Sequence, residues 1–128
     1  MTVREIYNRI SQRIPEALRE PWDNDGLMCA SDDSREVHRA LVTLDVTEEV
    51  VDYAIANKFD LILSHHPLIF RPLGALNEDS HVARKVIRLI KHDIAVIGWR
   101  ISLTSAERSC GADVTISAIS SPPIPQTA

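Results

Sequence analysis

The sequence predicts an α/β fold in which a parallel-type sheet is layered with helices. Three observations carry that reading. Residues 37–98 alternate strand, helix, strand, helix, strand, the order of right-handed crossover units. Leu61-Ile62-Leu63 is a continuous apolar run, as a strand covered on both faces requires. The chain has 128 residues, 45% of them hydrophobic, enough to enclose one core of ordinary size.

Each element has a local cause. Thr2-Val3-Arg4-Glu5 reads as a capping box, and Val3, Ile6, Tyr7, Ile10 and Ile14 then recur at helical spacing. Pro15 and Pro21 punctuate the exit. Gly26 to Ala30 is short and apolar and reads as a strand; Ser31 to Glu36 is a polar turn. Val37 to Val46 is a strand with Ala40, Leu41, Val42 and Leu44 as its apolar body. Thr47 caps a second helix, whose positive end Glu48 and Glu49 complement and whose buried face is Val50, Val51, Ala54 and Ile55. Leu61 to Leu63 is the next strand, and Pro67, Pro72 and Gly74 mark a loop. A third helix starts at Asp79 or Ser80 with Val82, Val86, Ile87 and Ile90 inward, followed by the strand Ile94 to Ile97. Beyond Gly98 no clean period of either kind is visible. Residues 1–108 therefore read as one α/β domain, and 109–128 as an irregular tail whose Ser/Pro-rich end, Ser120 to Ala128, has a disordered composition.

Several function classes are disfavoured. A formal net charge of −4 offers no basic footprint for nucleic acid. No apolar run approaches the roughly 20 residues needed to span a bilayer. The N-terminus lacks the basic-then-apolar layout of a secretory signal, and Cys29 and Cys110 have no motif spacing. Together these predict a cytoplasmic protein with reduced thiols.

Open parallel sheets bind ligands at the carboxyl ends of their strands. Three such ends fall at Asp45, at His65-His66 and at Trp99 to Thr104. Neighbouring strands would bring them to one rim. His65 and His66 offer neutral imidazoles, good ligands for zinc, iron, manganese and similar ions. On extended backbone the two rings point to opposite sides, so they serve two ions, or one ion if the chain turns at Pro67. Two metals with a bridging water would be a hydrolytic arrangement. The plain alternative is a chance pair, one ring hydrogen-bonded and one solvated. Asp45 is either a rim residue or a cap on the amides of the second helix. Trp22-Asp23-Asn24-Asp25-Gly26 is either a tight turn or a loop framing the pocket. His38, His81 and His92 read as surface residues, and Cys29 as a small core residue rather than a nucleophile.

These residues resemble a family. Pro21-Trp22-Asp23-Asn24-Asp25-Gly26-Leu27 is similar to its Trp-Asp-Asn-x-Gly-Leu segment, Leu44-Asp45-Val46-Thr47 to its Leu-Asp-Val-Thr segment, and Ser64-His65-His66-Pro67-Leu68-Ile69-Phe70 to its metal-binding signature. The family is the Nif-three-like dinuclear-metal proteins, the GTP cyclohydrolase 1 type 2 homologues, and the resemblance covers roughly residues 2–98. It implies the N-terminal portion of an α/β fold, two divalent metals held in part by His65 and His66, a small-molecule substrate such as a nucleotide, and a hexamer. The family's His-Thr-x-x-Asp segment, whose Asp bridges the metals, is here Arg100-Ile101-Ser102-Leu103-Thr104. Thr104 thus stands at the position of the bridging carboxylate, and Arg100 sets a cation nearby. Ser105-Ala106-Glu107 keeps the resemblance, the following Gly-Gly is Arg108-Ser109, and no histidine follows His92 to supply the family's distal ligand. The chain therefore reads as a truncated or degenerate member, and a frameshift near residue 108 would account for the loss of pattern. The expected function is a divalent-metal-binding protein resembling a dinuclear hydrolase. The alternatives are a non-catalytic metal-binding or protein-interaction module, or an inactive remnant.

Overall fold

A computed structural model describes residues 1–13, 25–100 and 102–119. Its elements run α1 (Val3–Arg13), β1 (Gly26–Cys29), β2 (Arg39–Thr43), α2 (Glu48–Ala56), β3 (Leu61–Ser64), α3 (His81–Lys91), β4 (Ala95–Gly98), α4 (Leu103–Ser109) and β5 (Thr115–Ala118). The five strands form one sheet in the order β1-β4-β3-β2-β5. Pairings β4-β3, β3-β2 and β2-β5 are parallel, and β1 joins β4 antiparallel. The α/β reading is therefore correct, with a mixed rather than wholly parallel sheet.

Side-chain alternation along β3 explains why its sequence is apolar throughout. Leu61 and Leu63 enter one core with α1 and α4, while Ile62 enters the other with α2 and α3. All three are fully buried, so β3 lies at the centre of a three-layer sandwich. Burying each such side chain contributes about 1.5–3 kcal/mol relative to leaving it in water.

Helix starts follow the capping chemistry read from sequence. The amide of Glu5 donates to Thr2 Oγ1 at 3.1 Å, and the Thr2 amide donates to Glu5 Oε1 at 3.3 Å, a reciprocal capping box. Thr47 and Ser80 cap α2 and α3, accepting from the amides of Val50 and Ala83. The inward face of α3 differs from the expected one. Ala83, Val86 and Leu89 are buried, whereas Ile90 is 36% exposed. The helix is turned so that the smallest residue, Ala83, faces the core. Leu44, expected in the body of β2, is also exposed, because β2 ends at Thr43 and Leu44 stands on the rim.

The reading of residues 109–128 as irregular is corrected at its start, since β5 extends the sheet beside β2. Neither α4 nor β5 was visible as a pattern, for a physical reason. Only Ala106 and Ser109 of α4 are buried, and β5 is an edge strand with both end residues exposed, so neither shows an apolar period. Ile14, Pro15, Pro21, the Trp22-Asp23-Asn24 segment, Ile101 and Ser120 to Ala128 lie outside the described residues. No helix among the described residues is long and apolar enough to cross a membrane.

Candidate metal centre

The order β4-β3-β2 brings the three predicted strand ends to one rim. The Trp99 amide donates to Ser64 O and the Arg100 amide to His65 O, both at 3.0 Å. On the other side the His65 amide donates to Thr43 O at 3.0 Å and the His66 amide to Leu44 O at 2.9 Å. Consecutive amides that reach the same neighbouring strand cannot belong to regular extended backbone, in which they alternate in direction. The chain therefore turns at His65-His66. Ser64 locks the turn: its buried hydroxyl donates to His66 O at 2.7 Å.

The turn sets the two imidazoles 5.0 Å apart, centroid to centroid, at an interplanar angle of 77°. His65 is half-buried and His66 exposed. Thr47 caps α2, and the Asp45 carboxylate instead sits 2.7 Å from His66 Nδ1. A carboxylate on one ring nitrogen fixes the ring's orientation and leaves the other nitrogen for a ligand. Among the described residues no group of three or more His, Cys, Asp or Glu side chains is placed to hold a metal ion. Thr104 lies exposed in the first turn of α4, and Arg100 is exposed with a left-handed φ of 46°. A cavity of about 300 Å³ opens between the carboxyl end of β2 and the start of α4, lined by Thr43, Leu44, Ser102, Leu103 and Ile119 among others.

Gly98 is the position sequence reasoning missed. It ends β4 directly beneath the turn, where a Cβ would meet Pro67 Cα at 3.1 Å and Ser64 Oγ at 3.3 Å. Its signal was available only as a glycine closing an apolar strand. Gly98→Ala is expected to push the His66-Pro67 segment outward and cost about 1–3 kcal/mol. A denaturant midpoint identical to wild type would contradict that tight packing. Other sequence candidates stay apart from the centre. His38, His81 and His92 are exposed, and Cys29 packs beside the α2/α3 core, where burial pushes its thiol up to about 11. Such a thiol is a poor nucleophile at neutral pH.

A three-layer α/β protein with a histidine pair at the carboxyl rim of its central strand is the class that fold and site define. The profile of Duf34/NIF3 (NGG1p interacting factor 3) matches residues 1–119. The chain belongs to this family. The matched residues continue past residue 108, through α4 and β5. A protein of Clostridium perfringens described as a GTP cyclohydrolase 1 type 2 homolog is 42% identical over 94 residues, which are 73% of this chain and 36% of that protein. The homolog of that name from Listeria monocytogenes is 40% identical over 102 residues, 79% of this chain and 27% of that protein. A solved Staphylococcus aureus hypothetical protein superposes with a TM-score of 0.69 at 36% identity, over 77% of this chain and 32% of that one. The chain therefore spans only about a quarter to two-fifths of the relatives it matches.

Proposed function

We propose that this chain is a divalent-metal-binding protein whose ion, zinc, iron, manganese or similar, is held by His65 and His66. The observation that carries the reading is the 2.7 Å contact of Asp45 with His66 Nδ1, at the end of a fully buried strand. It presents His66 as an oriented ligand, and the turn at the same point sets His65 alongside. The relatives' name speaks of GTP cyclohydrolase chemistry, so a nucleotide or other small molecule is the substrate class the ancestry suggests. In the family that the sequence resembles, a carboxylate at the position of Thr104 bridges the two metals. The neutral Thr104 hydroxyl at that position supplies no such charge, which favours ion binding without turnover in this chain. A homo-oligomer, a hexamer by resemblance, is part of the same proposal.

Asp45→Asn tests the role of the carboxylate, since the amide keeps its shape but loses its charge. The expected result is metal affinity weakened about 10–100-fold with unchanged thermal stability. Equal affinity, measured by competition with a chelating dye, would show that the Asp45-His66 contact is only a surface pair.

A further inference from the structure

We propose that Lys85 is a positioning residue for the candidate metal centre: its ammonium fixes the link between β2 and α2 so that the Asp45 carboxylate stands against His66. Its consequence for an ion rests on the metal-binding reading of His65 and His66. The link is only Leu44-Asp45-Val46, and each of its carbonyls is held by a donor from a different element. The His66 amide donates to Leu44 O at 2.9 Å, the Thr43 hydroxyl to Asp45 O at 3.1 Å, and Lys85 Nζ to Val46 O at 2.9 Å. Among the described residues no backbone amide donates to Val46 O, so Lys85 is what ties that carbonyl to α3. The Asp45–His66 pair cannot hold itself in place. Its side chains are 60% and 57% exposed, and an ion pair so open to water contributes little. The 2.7 Å approach therefore depends on where the backbone sets Asp45.

Lys85 has no carboxylate to serve. On the same helix Arg84 pairs with Glu48 at 3.4 Å and Arg88 with Asp52 at 2.7 Å. Lys85, half-buried, reaches no acidic group among the described residues. Nor does a helix dipole call for a cation there. Val46 immediately precedes Thr47, the N-cap of α2, and cations are disfavoured at that positive end. A long side chain thus gives up rotamer freedom, and its ammonium gives up water, for one neutral carbonyl. What that contact secures is the adjoining residue, Asp45. An ionised carboxylate can only accept, so its place beside Nδ1 puts the proton of the neutral His66 ring there. The Nε2 lone pair is then left for an ion.

Metal affinity of the full chain for zinc, together with the imidazole nitrogen and carbon chemical shifts of His66 at alkaline pH, tests the proposal. The shifts report the tautomer without any ion. Lys85→Met keeps the aliphatic stem and removes the ammonium. Its zinc affinity is expected to fall about tenfold, the lower end of what losing an orienting partner costs. A cation acting only through space predicts the opposite sign, since removing it would tighten the hold on a dication. Wild-type His66 should carry its proton on Nδ1, and Lys85→Met should shift it to a mixture of tautomers. Lys85→Arg, which can still donate to Val46 O, should restore both readouts. In an Asp45→Asn background Lys85→Met should cost nothing further, because both changes break one path. If Lys85→Met does not fold, Lys85→Leu replaces it, a good helix former without a donor. Unchanged or tighter zinc binding in the variant overturns the proposal, as does an unmoved tautomer or a loss that adds in full to that of Asp45→Asn. A wild type that binds no zinc, with a tautomer that Lys85→Met still shifts, removes the metal reading and leaves the positioning of Asp45 standing. Zinc bound by wild type, with a tautomer that Lys85→Met leaves unmoved, does the reverse.

Discussion

Replacing both imidazoles, His65→Ala/His66→Ala, is expected to abolish stoichiometric metal binding and weaken affinity by more than about a hundredfold. That exceeds the upper end of what losing one orienting partner costs. The variant should remain folded. The backbone bonds that shape the turn come from the amides of His65 and His66, the carbonyl of His65 and the hydroxyl of Ser64, none of which is removed. The rings are half-buried and exposed, so truncation leaves no large cavity. Metal analysis after purification and dialysis reads the result directly. Equal metal in variant and wild type would place the ion elsewhere. Near-ultraviolet circular dichroism reports whether Trp99 and Tyr7, whose rings lie 5.7 Å apart, keep their packing.

The second large effect concerns stability. Leu63→Ala should cost about 2–5 kcal/mol, because it removes a fully buried side chain from the middle of the sheet and leaves a cavity. Domains of this size are stable by only about 5–15 kcal/mol, so much of the total would be lost. Leu63 packs with Val3, Ile6, Ala40, Val42 and Ile97 in the α1/α4 core, where no imidazole is among the cluster's members. The urea midpoint should fall while the folded fraction keeps wild-type metal affinity. An unmoved midpoint would contradict the three-layer architecture.

Much of this fold was legible in the sequence because its strongest patterns belong to its centre. Leu61-Ile62-Leu63 is apolar at every position because both faces of β3 are covered, and the Thr2/Glu5 and Thr47 caps mark helix starts by hydrogen bonding that needs no tertiary context. The periphery was harder to read. The α4 helix and β5 bury few side chains, so their conformation depends on contacts with α1 and β2 rather than on local periodicity. The antiparallel placement of β1 also left no trace, since a four-residue apolar run such as Gly-Leu-Met-Cys carries no signal of strand direction.

The candidate site was legible by composition and not by geometry. His65-His66 at the end of an apolar run identified the rim, but adjacency alone implied rings on opposite sides. The turn that brings them 5.0 Å apart depends on Ser64 and on two flanking strands that lie far away in sequence. Asp45 was open between capping and rim roles because its neighbour Thr47 is an equally good cap. Only the pairing of β2 with β3 sets Asp45 against His66. Thr104, at the position where the resembling segment carries a carboxylate, was visible from register alone, and its exposed place in α4 adds no charge to the rim.

The measurement that bears most directly on this account is X-ray absorption of the metal-loaded full chain, combined with metal quantification. The account predicts about one ion per chain, with two imidazole nitrogens among its ligands and the remaining positions filled by light oxygen donors. Two ions per chain, or an ion with no imidazole in its coordination shell, would contradict it.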